Sequence, residues 1–498
     1  MDNERASNHH LSGIIVIFGG TGDLTKRKLL PALYNLVCEG LVPENFAVVA
    51  VGRQEKTREQ YLDEALAAVS RYSRNQIQAP CWEAFKKIIY YIQLDFLAAD
   101  EYNKLQAALV QIDDKHTTGG NRVFYLAVAP EFFEPIVHSL HTYKLVGGER
   151  GWQRLVIEKP FGRDLPSAAR LNQQLSQVFC EENIYRIDHY LGKEMIQNIM
   201  VLRFCNPVFE SLWNNKYIDN VQILLSEKAG IGSRGGYYES AGAMRDMVQN
   251  HVLQTLSLIA MEPPVALTPD AIRNEKLKVI QAIEAFTPER IKQDVVFGQY
   301  GAGIQSGQAV KAYRDEEKVD PQSNTETFVA MKLYIQNFRW SGTPFYIRTG
   351  KRLGSNEGKI VIQFKTSPPV LYFSNTLAQQ PNVLVIKIQP QVGVYFQFCT
   401  KKFGSSEEIV SATMDTSNDC YTNGNTPEAY ERLIIDILRG DTTLFSRWDE
   451  VEAAWGFVDQ IIARKQQVPG DFPNYQAGTM GPAQAEELLA RDERKWWD

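Results

Sequence analysis

The sequence predicts two fold classes in succession. An α/β part with a mostly parallel sheet comes first, and a larger α+β part built on an antiparallel sheet follows. Three observations lead there. Short β-rich runs alternate with helical stretches from residue 13 to about 187. Beyond residue 200, strand-like runs follow one another with few helices between them. At 498 residues the chain is longer than one ordinary domain. The expected division is a flexible polar N-terminus at 1–12, a first domain at 13–188 and a second at 189–498.

Each element has its own local warrant. GIIVIF, starting at Gly13, is a short apolar run, and the loop GGTGDLTKRK after it leads into LLPALYNLVCEG. That stretch is apolar at helical spacing and closes on Gly40. FAVVAVG, KIIYYIQLD, NRVFYLAVAP and QRLVIEKP repeat the strand theme, each followed by a helical pattern, so the strands should pair in parallel. Then VQILLSE, TFVAMKLYIQNF, PFYIRTG, KIVIQFK, NVLVIKIQP and GVYFQFCTKK come in close succession, as in an antiparallel sheet with one covered face. Helical stretches around 427–439 and 447–466 close the chain.

Composition excludes several function classes. The 44% hydrophobic content is that of a globular protein, and a net charge of −6 favours neither nucleic acid nor an anionic membrane as partner. Any anion site must therefore be a local basic pocket. The six cysteines form no C-x-x-C pair, which argues against structural zinc and fits free thiols in a reducing cytosol. The first twelve residues include Asp2 and Glu4 with no apolar run behind them, so no secretory signal is expected. No run approaches eighteen apolar residues, so no membrane span is expected either.

Three segments carry candidate chemistry. The first, Gly19-x-x-Gly22-x-x-Thr25, follows an apolar strand and precedes a long helix. Glycines there permit a tight turn, and a helix N-terminus offers amides to a pyrophosphate. The next strand ends in Arg53-Gln54 with no carboxylate before Glu55, which suits a 2′-phosphate and favours NADP over NAD. The second segment, RIDHYLGK, gathers Asp188, His189, Tyr190 and Lys193. If it is helical, His189 and Lys193 share a face suited to a phosphate, although a solvated helix end fits the same pattern. The third, Gly242 to Ala260, reads as a helix with Met244, Val248, His251, Thr255 and Leu258 on one stripe. In an α-helix Asp246 lies about 140° around from His251, so a catalytic His251 needs its carboxylate from elsewhere.

Taken together, GGTGDLTKRKLLPALYNL, EKPFG, RIDHYLGKE and GGYYESAGAMRDMVQNHVLQ closely resemble the glucose-6-phosphate dehydrogenase family. RTGKRL and PEAYERLIIDILRGD extend the resemblance to at least residue 490. It implies a Rossmann-type coenzyme domain at 13–188, followed by a larger substrate-binding and oligomerisation domain built on an antiparallel sheet. The implied activity is NADP-linked oxidation of glucose 6-phosphate by a cytoplasmic homodimer or homotetramer, without a metal. By resemblance, His251 is the general base and Asp188 the carboxylate that orients it. His189, Tyr190 and Lys193 bind phosphate and sugar, and Glu227 and Asp246 bind sugar hydroxyls. Lys159 lies between coenzyme and substrate, before a candidate cis Pro160, and Lys351 is a further substrate lysine. Gly19, Gly20, Thr21, Gly22, Asp23 and Leu24, with Arg53, form the NADP site, and Asp95 borders it.

The chemistry agrees with these residue types. Oxidising an anomeric alcohol needs a base for the hydroxyl proton while hydride leaves C1, and an imidazole held by a carboxylate suits that task. Two features depart from the family pattern. Asn356 stands where many members carry a second basic residue after the RTGK lysine, with Lys359 as a possible substitute. Glu357 and Gln397 stand where a second, structural NADP site would need basic residues, so that site is not expected. A dehydrogenase of unphosphorylated aldoses and a catalytically inert nucleotide-binding regulator are the alternatives. His189 with Lys193 argues against the first. His251, Asp188 and Lys159 together argue against the second.

Overall fold

A computed structural model describes residues 11–148, 150–366, 381–404, 409–417, 426–467 and 471–497. Most of the expected N-terminal tail, and Cys420, lie outside the described residues. Cys38, Cys81, Cys180 and Cys205 are free thiols. The chain forms two compact units. One comprises the described residues of Met1–Gly192, Ala266–Arg273 and Asn425–Glu452, and the other holds the remainder.

The first unit is built on strands β1 (Gly13–Phe18), β2 (Phe46–Gly52), β3 (Ile89–Gln93), β4 (Arg122–Leu126), β5 (Gln153–Ile157) and β6 (Ile184–Ile187). They are parallel and lie in the spatial order β3-β2-β1-β4-β5-β6, with the short strand Phe445–Ser446 antiparallel at the β6 edge. This is the Rossmann strand order. The strand order reverses at β1, and in sheets of this kind ligands bind beyond the carboxyl ends of the strands at that point. Every residue of β1 and β2 is buried, as strands covered on both faces require.

Local signals start two of the flanking helices. Thr57 caps Arg58–Tyr72 in a capping box with Gln60, and Asp164 caps Leu165–Ser176 with Ser167. A third helix, Ala429–Arg439, joins this unit through contacts that no local pattern announces. Its buried Glu431 accepts from Asn35 at 2.9 Å and from Arg74 at 2.8 and 2.7 Å. Arg154 donates to the carbonyls of Ile437 and Leu438 at its C-terminal end.

The second unit holds β7 (Ile218–Ser226), β8 (Val295–Gly298), β9 (Tyr300–Gly301), β10 (Gly303–Gln305), β11 (Gln308–Val310), β12 (Phe328–Leu333), β13 (Phe345–Gly350), β14 (Glu357–Phe364), β15 (Val383–Gln389), β16 (Gly393–Lys401) and β17 (Ile409–Ser417). Eight of them form one sheet in the order β17-β16-β15-β14-β7-β13-β12-β8. The expected antiparallel sheet is present with one amendment, since β7 and β13 pair in parallel. The chain between them is long enough, and helical enough, to make the crossover that parallel pairing needs. β17 was not anticipated, because IVSATMDTS alternates only weakly and lies at the sheet edge.

Asp246 and His251 lie on one helix of this unit. It runs from Met244 to Ala260, and its first nine residues, Met244–Val252, are wound as π-helix. Its C-terminal carbonyls are engaged from the side. The indoles of Trp213 and Trp340 donate to Ile259 and Ala260 at 2.8 Å each, and Arg203 donates to Leu258 at 3.0 Å. A buried indole needs a polar partner and a helix end needs donors, so each satisfies the other.

Candidate active site

In the first unit the glycine loop follows β1 directly. Gly19 has φ +88°, and a Cβ there would lie 2.2 Å from the Ala127 carbonyl; at Gly20 it would lie 2.6 Å from Ala50 Cβ. The amides of Gly19 and Gly20 both donate to Val51 O, at 3.0 and 2.8 Å, so the loop is drawn tightly over the ends of β1 and β2. The Thr25 hydroxyl donates to Gly19 O at 2.9 Å and closes the turn. Helical winding begins at Asp23, so Gly22, Asp23 and Leu24 form the helix start, where amides suit a pyrophosphate. A loop that admits no side chain against the sheet, ending in a helix N-terminus, fits a dinucleotide.

Arg53 is exposed just beyond β2, with its guanidinium 5.8 Å from the centre of the Phe132 ring. Asp95 lies just past β3 and shapes a turn, its carboxylate accepting from Leu97 N at 3.1 Å.

At the end of β5, Lys159 precedes Pro160 across a cis peptide bond, as the EKPFG resemblance implied. Sequence reasoning passed over its neighbour Glu158. This carboxylate accepts from Tyr125 Oη at 2.6 Å and from Tyr430 Oη at 3.2 Å. Burial pushes its pKa up to about 7, against the opposing pull of the two tyrosine hydrogen bonds and the Lys159 charge. No spacing rule connects Tyr125 on β4 with Tyr430 on a helix about 300 residues later.

The segment after β6 does not meet the helical condition set for its phosphate face. Residues 188–193 form a turn and not a helix, because the Asp188 carboxylate takes the Tyr190 amide at 2.9 Å and its carbonyl takes the Leu191 amide at 3.0 Å. The next helix starts only at Glu194, with Lys193 extended at its cap. His189 and Lys193 therefore do not share a helical face. Asp188 and Tyr190 are buried, at 1% and 4% exposure, and the His189 and Tyr190 rings lie 5.2 Å apart. Lys193, at the start of the second unit, donates to the Gln389 side chain at the end of β15.

The second unit gathers three of the expected substrate residues. Lys351, just after β13, is 4% exposed; its ammonium bonds Glu227 and lies 3.4 Å from an Asp246 carboxylate oxygen. Tyr237 Oη donates to Asp246 at 3.4 Å, and the Lys351 ammonium sits 5.6 Å above the Tyr238 ring. Burial, with Asp246 as second cause, raises the Tyr237 pKa well above the ordinary tyrosine value, so it stays a donor. Sequence reasoning passed over both tyrosines, although GGYYES is part of a family motif.

The π-helix corrects one expectation. With i→i+5 hydrogen bonding, five residues make little more than one turn, so Asp246 and His251 project to nearby sides of the helix and not about 140° apart. Both are buried, at 7% and 1% exposure. Elsewhere, Lys359 is fixed in β14, and its ammonium lies 3.2 Å from Glu357. Gln397 accepts from Tyr395 Oη.

A Rossmann sheet with a glycine-shaped first loop, and a lysine–carboxylate cluster that a π-wound helix joins through Asp246, define a nucleotide-linked oxidoreductase of a polar substrate. Comparison with known proteins narrows the class. Residues 16–198 match the family model for the NAD binding domain of glucose-6-phosphate dehydrogenase, and residues 200–497 match the model for its C-terminal domain. The chain belongs to the glucose-6-phosphate dehydrogenase family. It is 46% identical over 492 residues to the glucose-6-phosphate 1-dehydrogenase of Bacillus subtilis, covering 99% of each chain. It is 45% identical to that of Chlamydia muridarum, covering 97% of this chain and 96% of the relative. Among solved structures, a glucose-6-phosphate dehydrogenase in complex with glucose 6-phosphate superposes with a TM-score of 0.89 at 33% identity, covering 98% of this chain and 99% of that one. The enzyme from Mycobacterium avium gives 0.83 at 31% identity, covering 98% of each. No helix among the described residues is long and apolar enough to cross a membrane.

Proposed function

We infer that the chain oxidises the C1 hydroxyl of D-glucose 6-phosphate with NADP. The products are 6-phospho-D-glucono-1,5-lactone and NADPH, in the first step of the oxidative pentose phosphate pathway. The observation that carries this reading is the cluster of half-buried Glu227 with buried Asp246 and Lys351, beside the π-helix that bears His251. A set of charged donors and acceptors grouped in this way matches a ligand rich in hydroxyls.

The residue roles follow from the chemistry. Bound NADP supplies the hydride acceptor. His251 takes the proton of the C1 hydroxyl, and Asp188 orients the imidazole and stabilises it once charged. Glu227, Asp246 and Lys351 fix the sugar hydroxyls, and His189, Tyr190 and Lys193 hold the phosphate end. Binding energy spent there positions C1 for the transfer. Lys159 serves substrate and coenzyme alike. Gly19, Gly20, Thr21, Gly22, Asp23 and Leu24 seat the pyrophosphate, Arg53 grips the 2′-phosphate, and Asp95 borders the coenzyme. In this reading 13–188 is the coenzyme domain, and 189–498 binds substrate and carries the contacts of a homodimer or homotetramer. The setting is the cytoplasm, which the free thiols suit.

The test is spectrophotometric. Absorbance of NADPH should rise with glucose 6-phosphate and rise far more slowly with glucose. Equal rates would favour an aldose dehydrogenase, and no rate with either sugar would favour an inert regulator.

A further inference from the structure

Asp246 and His251 owe their placement to a break in the chain just before them. Gly242 has φ +61° and ψ 177°, a conformation open essentially to glycine alone, and it breaks the short helical run Gly235–Ala243 near its end, just before the π-helix. Without that break, Tyr237 and Asp246 would stand nine residues apart on one rod, about 13.5 Å along its axis. With it, the Tyr237 hydroxyl reaches Asp246 at 3.4 Å.

One residue from a distant segment holds the break. Glu326 is 4% exposed. Its carboxylate takes the Met244 amide at 3.1 Å, and its own carbonyl takes the Ala243 amide at 3.0 Å. These are early amides of the π-helix, which has no cap from a local side chain. A Cβ on Gly242 would meet the same carboxylate at 2.3 Å. Lys465 neutralises it from the other side, bonding its second oxygen and donating to the Asn324 carbonyl at 2.8 Å. The next residue, Thr327, accepts the Lys351 amide at 2.9 Å. Two consecutive residues thus anchor the helix start before Asp246 and the backbone of Lys351, whose side chains meet at 3.4 Å.

We propose that Glu326, paired with Lys465, is a positioning residue for the reaction. It sets the azimuth of the π-helix, and so aims Asp246 and His251, without touching substrate or coenzyme. The proposal rests on the roles assigned to Asp246 and His251 under the proposed function. A displacement of about 1 Å in such groups lowers turnover by about 10²-fold, while a coenzyme site on another part of the chain is unaffected.

The test compares Glu326→Ala, Glu326→Gln and Gly242→Ala with wild type. Readouts are kcat and KM for glucose 6-phosphate, the Kd of NADP, and hydrogen exchange of the amides from 243 to 252. Glu326→Ala should lose about 10²-fold in kcat/KM with the NADP Kd within about twofold of wild type, and its Met244 amide should exchange faster. Glu326→Gln keeps an acceptor for that amide and should recover at least about tenfold of the loss. Gly242→Ala should show the same selective loss and serves where Glu326→Ala does not fold. A folded Glu326→Ala with near-normal turnover overturns the proposal. So do equal losses in the Ala and Gln variants, or a parallel loss of NADP binding. An inactive wild type would instead refute the functional reading, because the exchange data report on the helix whether or not the enzyme turns over.

Discussion

The glycine loop of the first unit and the lysine–carboxylate cluster of the second are shaped by different means. Between Gly19 and Leu24 the shape comes from backbone, from glycines drawn against Ala127 and Ala50 and from a helix that begins within the loop. Around Lys351 the shape comes from side chains, with Glu227 at the end of β7, Tyr237 before the Gly242 break, Asp246 after it and Lys351 past β13. A backbone site is a local matter, because every atom that shapes it lies within a few residues or on the adjacent strand. A side-chain site of this kind has no local cause. Only the sheet register and the helix break bring its members within reach of each other.

The sharpest challenge to this contrast is His251→Ala, which should lower turnover by about 10²- to 10⁴-fold while leaving NADP binding intact. Steady-state kinetics beside a coenzyme titration decide it; near-normal turnover in a folded variant makes His251 a core residue. Next in size is Lys193→Ala, expected to weaken glucose 6-phosphate by up to about a hundredfold, as for a charge-assisted contact, and to leave slow glucose oxidation almost unchanged. Equal losses on both sugars would place Lys193 on the sugar ring or in the fold, where its bond to Gln389 already has a structural use.

Arg53→Ala probes the proposed side-chain contribution to the coenzyme site. The loss should be roughly 1.5–3 kcal/mol in kcat/KM for NADP, about tenfold to a hundredfold, with little change for NAD. An unchanged NADP/NAD ratio would leave Arg53 with only its contact to Phe132.

The smallest effect concerns stability. The folded pKa of Glu158 is raised from 4.5 to about 7. Its contribution to folding is therefore fully present below about pH 4.5 and is lost as pH rises through about 7. Glu158→Gln cannot lose a proton, so it should match wild type at pH 4 and unfold at a higher temperature at pH 8. The gain is at most about 3 kcal/mol, or several degrees in Tm. Thermal melts at the two pH values check it, and a Tm gain of the same size at both would show that packing and not ionisation is responsible.

Much of this molecule was legible in the sequence because much of it is periodic. Alternating strands and helices announced the parallel sheet, runs of strands announced the second sheet, and RIDHYLGKE with RDMVQNH announced the family. The rest was hidden for particular physical reasons. The 188–193 turn looked helical because side-chain capture of an amide by Asp188 outweighs spacing. The Asp246–His251 relation was misjudged because it assumed α-helical winding, and the π-winding of Met244–Val252 leaves no record in residue spacing. The Glu158 site needed Tyr430, and the placing of Ala429–Arg439 in the first unit needed Glu431 to meet Asn35 across 396 residues.

Sequence alone determined the order of fold classes, the family and the glycine loop after β1, since each is written in local pattern or motif. Tertiary structure alone decided the parallel β7–β13 pair, the π-helix, the break at Gly242 and the assembly of Glu227, Asp246 and Lys351. Those features depend on contacts between residues far apart in the chain, where a one-dimensional pattern carries no record of which surfaces will meet.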